Sequence, residues 1–146
     1  MVSSSEEETY ACGEALASLL EKGSIVALNG PLGAGKTCFT KGIAKGLCIA
    51  EEITSPTYTI INEYAGDCRG EDAGEKRVKV SVYHIDAYRL GGNDDFTNLG
   101  GEEIVFGNGI SIIEWSERIP AFVTAGAFKV DITINDDAKR SISIYQ

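Results

Sequence analysis

A chain of 146 residues, 43% hydrophobic and 24% charged, has the size and composition of one globular domain with a single core. Lys and Arg number 13 against 22 Asp and Glu, and the net charge of −9 argues against a groove that tracks nucleic-acid phosphates in its own right. No apolar run approaches the roughly 20 residues that cross a bilayer. Met1 to Glu8 is polar and then acidic, unlike a secretory signal, so the expectation is a cytoplasmic protein with no membrane partner.

Thr9 to Lys22 places Cys12, Ala15, Leu16, Leu19 and Leu20 on one stripe ahead of Gly23, which predicts an amphipathic helix. Ser24 to Leu28 is a short apolar strand. Residues 30–37 then read Gly30-Pro31-Leu32-Gly33-Ala34-Gly35-Lys36-Thr37, a full match to the phosphate-binding pattern G-x-x-x-x-G-K-[ST]. Lys36 to Leu47 follows with Phe39, Ile43, Ala44 and Leu47 at helical spacing. Strand, Gly-rich loop and helix in that order aim the helix amides and dipole at an anion. The glycines allow turns closed to other residues and point successive amides inward as a phosphate nest. Lys36 is placed to neutralise the outer phosphates, and the Thr37 hydroxyl to ligate the magnesium ion that travels with them. Gly30, Leu32, Gly33, Ala34, Gly35, Lys36, Thr37 and Cys38 therefore form the expected nucleotide-binding stretch.

Further along, Thr54-Ser55-Pro56-Thr57 reads as a turn and Tyr58 to Ala65 as a strand. Gly66 to Glu75 is an exposed connection, and Val78 to Asp86 is a second, alternating strand that can pair with the first as an antiparallel hairpin. Lys76-Arg77-Val78-Lys79 reads as a solvated strand start. Gly91 to Gly109 carries a short helix near Phe96 to Ile104, and Ile110 to Trp115 is a near-continuous apolar strand. Lys129 to Asn135 and Ser141 to Tyr145 alternate around the turn Asp136-Asp137-Ala138-Lys139. The tally predicts one α/β domain over residues 1–146, a three-layer fold of the P-loop NTPase type with a mixed central sheet.

A phosphate loop needs a carboxylate for its metal, ordinarily at the end of an apolar strand beside the loop strand. Glu114 ends the more buried-looking run and is the preferred ligand with Thr37. Asp86 ends a strand whose alternation suggests a more peripheral place, and is a catalytic, water-orienting or metal-supporting carboxylate. Lys36, Asp86 and Glu114 are thus the candidate catalytic set. The lone Trp115 is either core or a partner or nucleotide-edge surface, and His84 reads as a structural histidine. Cysteines at 12, 38, 48 and 68 lack metal or disulfide spacing, although Cys38 at the helix start is a candidate for a depressed pKa.

Taken in order, Gly30 to Thr37, Ser55-Pro56-Thr57-Tyr58, His84-x-Asp86-x-Tyr88-Arg89-Leu90, Leu99-Gly100 and Ile113-Glu114-Trp115 resemble the TsaE (YjeE) family. These are bacterial P-loop ATPases required for making threonylcarbamoyladenosine in tRNA. The resemblance runs from about Thr9 to Trp115, and implies magnesium-dependent ATP hydrolysis in support of the TsaD and TsaB proteins, with tRNA met only indirectly. It maps metal ligands onto Thr37 and Glu114 and the strand-end aspartate onto Asp86. It also implies a phosphate-sensing switch at Ser55, Pro56 and Thr57, and a functionally sensitive Trp115. Thr9 is implied near the adenine, and Lys139 or Arg140 is implied to reach the nucleotide. Departures are Pro31, where the family often has an acid, Cys38 in place of a common Thr, and a longer loop over 66–75.

Three other functions are open to such a loop. A GTPase switch would need an Asn-Lys-x-Asp guanine reader, which Asn135-Asp136-Asp137 does not supply; a small-molecule kinase would need an arginine-bearing lid, whereas the arginines here are scattered. A non-catalytic nucleotide-binding scaffold is the third.

Overall fold

The computed structural model describes residues 1–56, 59–70 and 76–146. Its elements in chain order are β1 (Val2–Ser3), α1 (Glu6–Ala17), β2 (Ile25–Asn29), α2 (Lys36–Gly46), β3 (Ile61–Cys68), β4 (Val78–Asp86), α3 (Asn93–Asn98), α4 (Gly101–Val105), β5 (Ile110–Glu114), two single 3₁₀ turns (Ser116–Arg118 and Pro120–Phe122), β6 (Phe128–Ile134) and β7 (Arg140–Tyr145). Among the described residues no helix is long and apolar enough to cross a membrane.

The strands form one mixed sheet in the order β1-β7-β6-β2-β5-β4-β3. The loop strand β2 runs parallel to β5 on one side and to β6 on the other, and β5 runs parallel to β4. β3 pairs antiparallel with β4 as the alternation predicts, although it begins at Ile61 rather than Tyr58, which lies outside the described residues along with Thr57. β2 and β5 are apolar along almost their whole length because layers cover both their faces. Val26, Leu28, Ile110 and Ile112 meet Phe39, Ile43 and Leu16 on the face that carries α1 and α2. Ile25, Ile85 and Ile113 meet Phe96, Ile119 and Phe122 on the other.

Helix α1 begins at Glu6 rather than Thr9 because Ser5 caps it, accepting from the Glu8 amide at 3.2 Å while Glu8 accepts from the Ser4 amide at 2.7 Å. It stops at Ala17, before the predicted Lys22. Helices α1 and α2 approach closely where Gly42 lies against Tyr10; a Cβ added there would stand 2.0 Å from the Tyr10 carbonyl oxygen. This backbone-to-backbone contact locks the helix that starts at the phosphate loop onto the first helix of the chain.

Candidate functional site

The parallel strands end together: Leu28 of β2 pairs with Glu114 of β5, and Asp86 of β4 pairs with the same Glu114. The loop leaves β2 at this edge, where side chains from different strands converge on one crevice. Period-2 alternation puts His84, Asp86 and Glu114 on the face that carries α2. The resulting cleft of 770 Å³ is lined by Lys36, Thr37, Ser55, Asp86, Glu114 and Trp115, together with the loop backbone.

Gly33 and Gly35 both adopt positive φ, 79° and 104°, and Gly35 is the N-cap of α2 with no side chain over the helix amides. The first turn of α2 therefore presents uncapped N–H groups to the cleft. Lys36 is buried, and its Nζ donates to the Gly30 carbonyl. The same ammonium lies 3.9 Å from the centroid of the Trp115 ring. Burial pulls its pKa below lysine's ordinary range; the carboxylates of Glu114, Glu117 and Asp86 oppose that shift without cancelling it. Thr37 Oγ1 is 3.1 Å from Ser55 Oγ, so the loop hydroxyl and the serine of the expected switch meet directly. Pro56 is buried beside it.

Glu114 is almost wholly buried, and its Oε2 lies 2.5 Å from Nε2 of His84. Asp86 is less buried and accepts from the Tyr88 amide at 3.0 Å, which fixes its carboxylate at the strand end. Trp115 does not continue the strand as its sequence context predicts. It turns to φ 58°, and Asn29 at the end of the loop strand holds the next residue by accepting from both the amide and the hydroxyl of Ser116, at 3.2 and 2.6 Å. That break swings the indole toward Lys36 and against Tyr88, whose ring centroid is 5.0 Å away.

The other flank of the loop is made by the chain ends. Thr9 is buried, shares a 2.7 Å hydrogen bond with Ser3, and lines a second hollow of 240 Å³ with Gly35, Cys38 and Arg140. Arg140, not Lys139, touches the loop: its Nε and Nη2 donate to the carbonyls of Ala34 and Gly33 at 3.1 and 3.0 Å. Lys139 is exposed, with its ammonium 3.9 Å from Asp137, and borders neither hollow. Leu32 is 89% exposed at the loop tip. Cys38 departs from its expected depressed pKa. Burial, with the Glu6 carboxylate next, raises its thiol, which donates to the Glu6 carbonyl at 3.2 Å. All four cysteines are free, as their spacing suggests.

Sequence reasoning missed Asn29, Ser116 and the role of Arg140, whose contacts depend on how distant segments are brought together. His84 carried a usable signal: it shares the strand parity of Asp86 and so belongs to the cleft face.

Fold and site together define an α/β protein built around a strand–loop–helix unit that carries the G-x-x-x-x-G-K-[ST] pattern. The sequence profile for "Threonylcarbamoyl adenosine biosynthesis protein TsaE" matches residues 3–142. The chain belongs to the TsaE family. It is 40% identical to the tRNA threonylcarbamoyladenosine biosynthesis protein TsaE of Treponema pallidum, over 98% of this chain and 97% of that one. It is 37% identical to the protein of the same name from Aquifex aeolicus, covering 97% and 92%. The crystal structure of Bacillus subtilis YdiB superposes with a TM-score of 0.74 at 31% identity, covering 99% of this chain and 82% of that one.

Proposed function

We propose that the protein binds magnesium-ATP in the 770 Å³ cleft and hydrolyses it in support of threonylcarbamoyladenosine formation in tRNA, working with TsaB and TsaD. The observation that carries this reading is the convergence on one cleft of a phosphate loop, Lys36, Thr37 and the two strand-end carboxylates Asp86 and Glu114. The names of the similar proteins support the pathway.

The donors suit magnesium. Thr37 Oγ1 and the Glu114 carboxylate are hard oxygen ligands, with Asp86 near enough in register to orient water around the ion. Among the described residues no cluster of three or more His, Cys, Asp or Glu could hold a metal ion, so on this reading phosphate oxygens complete the shell. When bound, the ion offsets charge that develops between the outer phosphates.

The chain supplies the remaining work. Uncapped amides of α2 and the Gly33–Gly35 turn hold phosphate oxygens. Lys36 exchanges its bond to Gly30 for the outer phosphates, and Trp115 covers its ammonium on the cleft side. Asp86, fixed by the Tyr88 amide, is the group that orients the attacking water. Positive charge on the cleft comes mainly from Lys36 with Lys41 nearby, so turnover by the isolated chain is slow and rises when partners add to the site. Phosphate release from ATP, measured for the protein alone and with TsaB and TsaD, tests this. Stimulation is expected; equal rates contradict the coupling.

A further inference from the structure

His84 and Glu114 pair two ionisable side chains where the surrounding layer is apolar. His84 sits on β4 in line with Val80 and Val82, on the face that packs into the apolar layer under α2, and an apolar side chain would suit that layer. Instead the position holds an imidazole that is 1% exposed, against a carboxylate residue that is 5% exposed. Replacing a buried ionisable pair by well-packed apolar side chains is often neutral or stabilising, so packing by itself does not account for this pair. The sheet register explains the contact. His84 is the partner of Ile112, and Glu114 lies two residues further along β5 on the same face, a diagonal neighbour within reach of a long side chain. Among the described residues the imidazole has no other hydrogen bond: Nδ1 is without a partner.

We propose that His84 is a positioning residue for magnesium: Nε2 grips Oε2 of Glu114 and so fixes the carboxylate in the cleft that Thr37 also lines. The inference rests on the reading of Glu114 as the protein's metal carboxylate. Such outer partners hold a ligand in one rotamer, and their loss typically weakens metal binding or activity by about 10- to 100-fold. An ionised carboxylate only accepts, so the gripping nitrogen carries the hydrogen. Glutamine can present an N–H near the same point, whereas asparagine is too short to reach and leucine has no donor.

The test uses Mn²⁺ as probe, its binding to the protein–ADP complex followed by electron paramagnetic resonance, beside ADP binding in excess EDTA. His84→Asn and His84→Leu are expected to weaken Mn²⁺ binding about tenfold or more, with metal-free ADP affinity unchanged and His84→Gln restoring most of the loss. Glu114→Gln is the reference, and adding His84→Asn to it is expected to cost nothing further. Wild-type Mn²⁺ affinity in His84→Asn, beside a weakened Glu114→Gln, overturns the role of His84 and leaves Glu114 in place. An equal loss of metal-free ADP binding in His84→Asn makes the histidine merely structural and overturns it too. If Glu114→Gln itself binds Mn²⁺ normally, the metal reading of Glu114 and the His84 inference fall together. Should His84→Leu not fold, His84→Asn and His84→Gln decide.

Discussion

The two flanks of the phosphate loop are built from different materials. On one side the chain termini hold it: Arg140 donates to the Gly33 and Ala34 carbonyls, and a hydroxyl pair between Ser3 and Thr9 lies beneath Gly35. On the other side, charged side chains at the ends of β4 and β5 face it across the larger cleft. The first flank ties down two of the loop's carbonyls, while uncapped amides at the start of α2 face the cleft; the second flank sets the charge those amides work beside. Shape and chemistry of the loop are thus assigned to separate parts of the chain, and they should fail separately.

The sharpest break is on the charged flank. Lys36→Ala is expected to lower ATP turnover by about 10²- to 10³-fold, the usual scale for losing one aligned group at developing charge, with the fold intact by circular dichroism. Thr37→Ala should act similarly through the metal. Arg140→Ala attacks the other flank. Losing charge-assisted bonds to two loop carbonyls should weaken ATP and ADP by a similar factor, about tenfold, because loop order and not a phosphate contact is lost. If ATP suffers far more than ADP in calorimetry, Arg140 touches the nucleotide and the separation of roles is wrong.

A smaller effect comes from pH. Burial disfavours the charged form of Lys36 in the free protein, and a bound polyphosphate restores it, so the pKa is higher in the complex. Binding then takes up a proton between the two values. ADP affinity should fall as pH rises through the free-protein value, which lies below the 10.5 of an ordinary lysine, at most about tenfold per unit. A flat profile up to that ordinary value would contradict the shift. The smallest effect concerns Cys38: with its thiol raised and partly covered, iodoacetamide at mildly alkaline pH should label exposed Cys48 faster, by roughly a few-fold. Preferential labelling of Cys38 would restore the depressed thiol that its helix position suggests.

Most of the frame was readable from local pattern. β2, β4 and β5 lie almost where alternation and apolar runs put them, and Glu114 does end the strand beside the loop strand. Local signals misled where a single residue changes direction. Gly100, at φ 85°, divides the helix expected over Phe96 to Ile104 into α3 and α4, and Trp115 leaves the strand at φ 58°. Neither β1 nor the Arg140 clamp has a local signature, since each depends on residues more than 100 positions apart coming together. The choice between Lys139 and Arg140 stays open in the sequence for the same reason: charge can be read there, but which of two adjacent side chains on a hairpin faces inward depends on register.

The central claim is that the backbone nest at Gly30 to Thr37, with Lys36 beside it, grips a nucleotide's polyphosphate. Calorimetric titration of the protein with ADP and ATP in magnesium buffer tests it most directly, set against Lys36→Ala. Saturable binding that disappears in the variant is the predicted result. No heat from either nucleotide, or equal binding by wild type and Lys36→Ala, would contradict it.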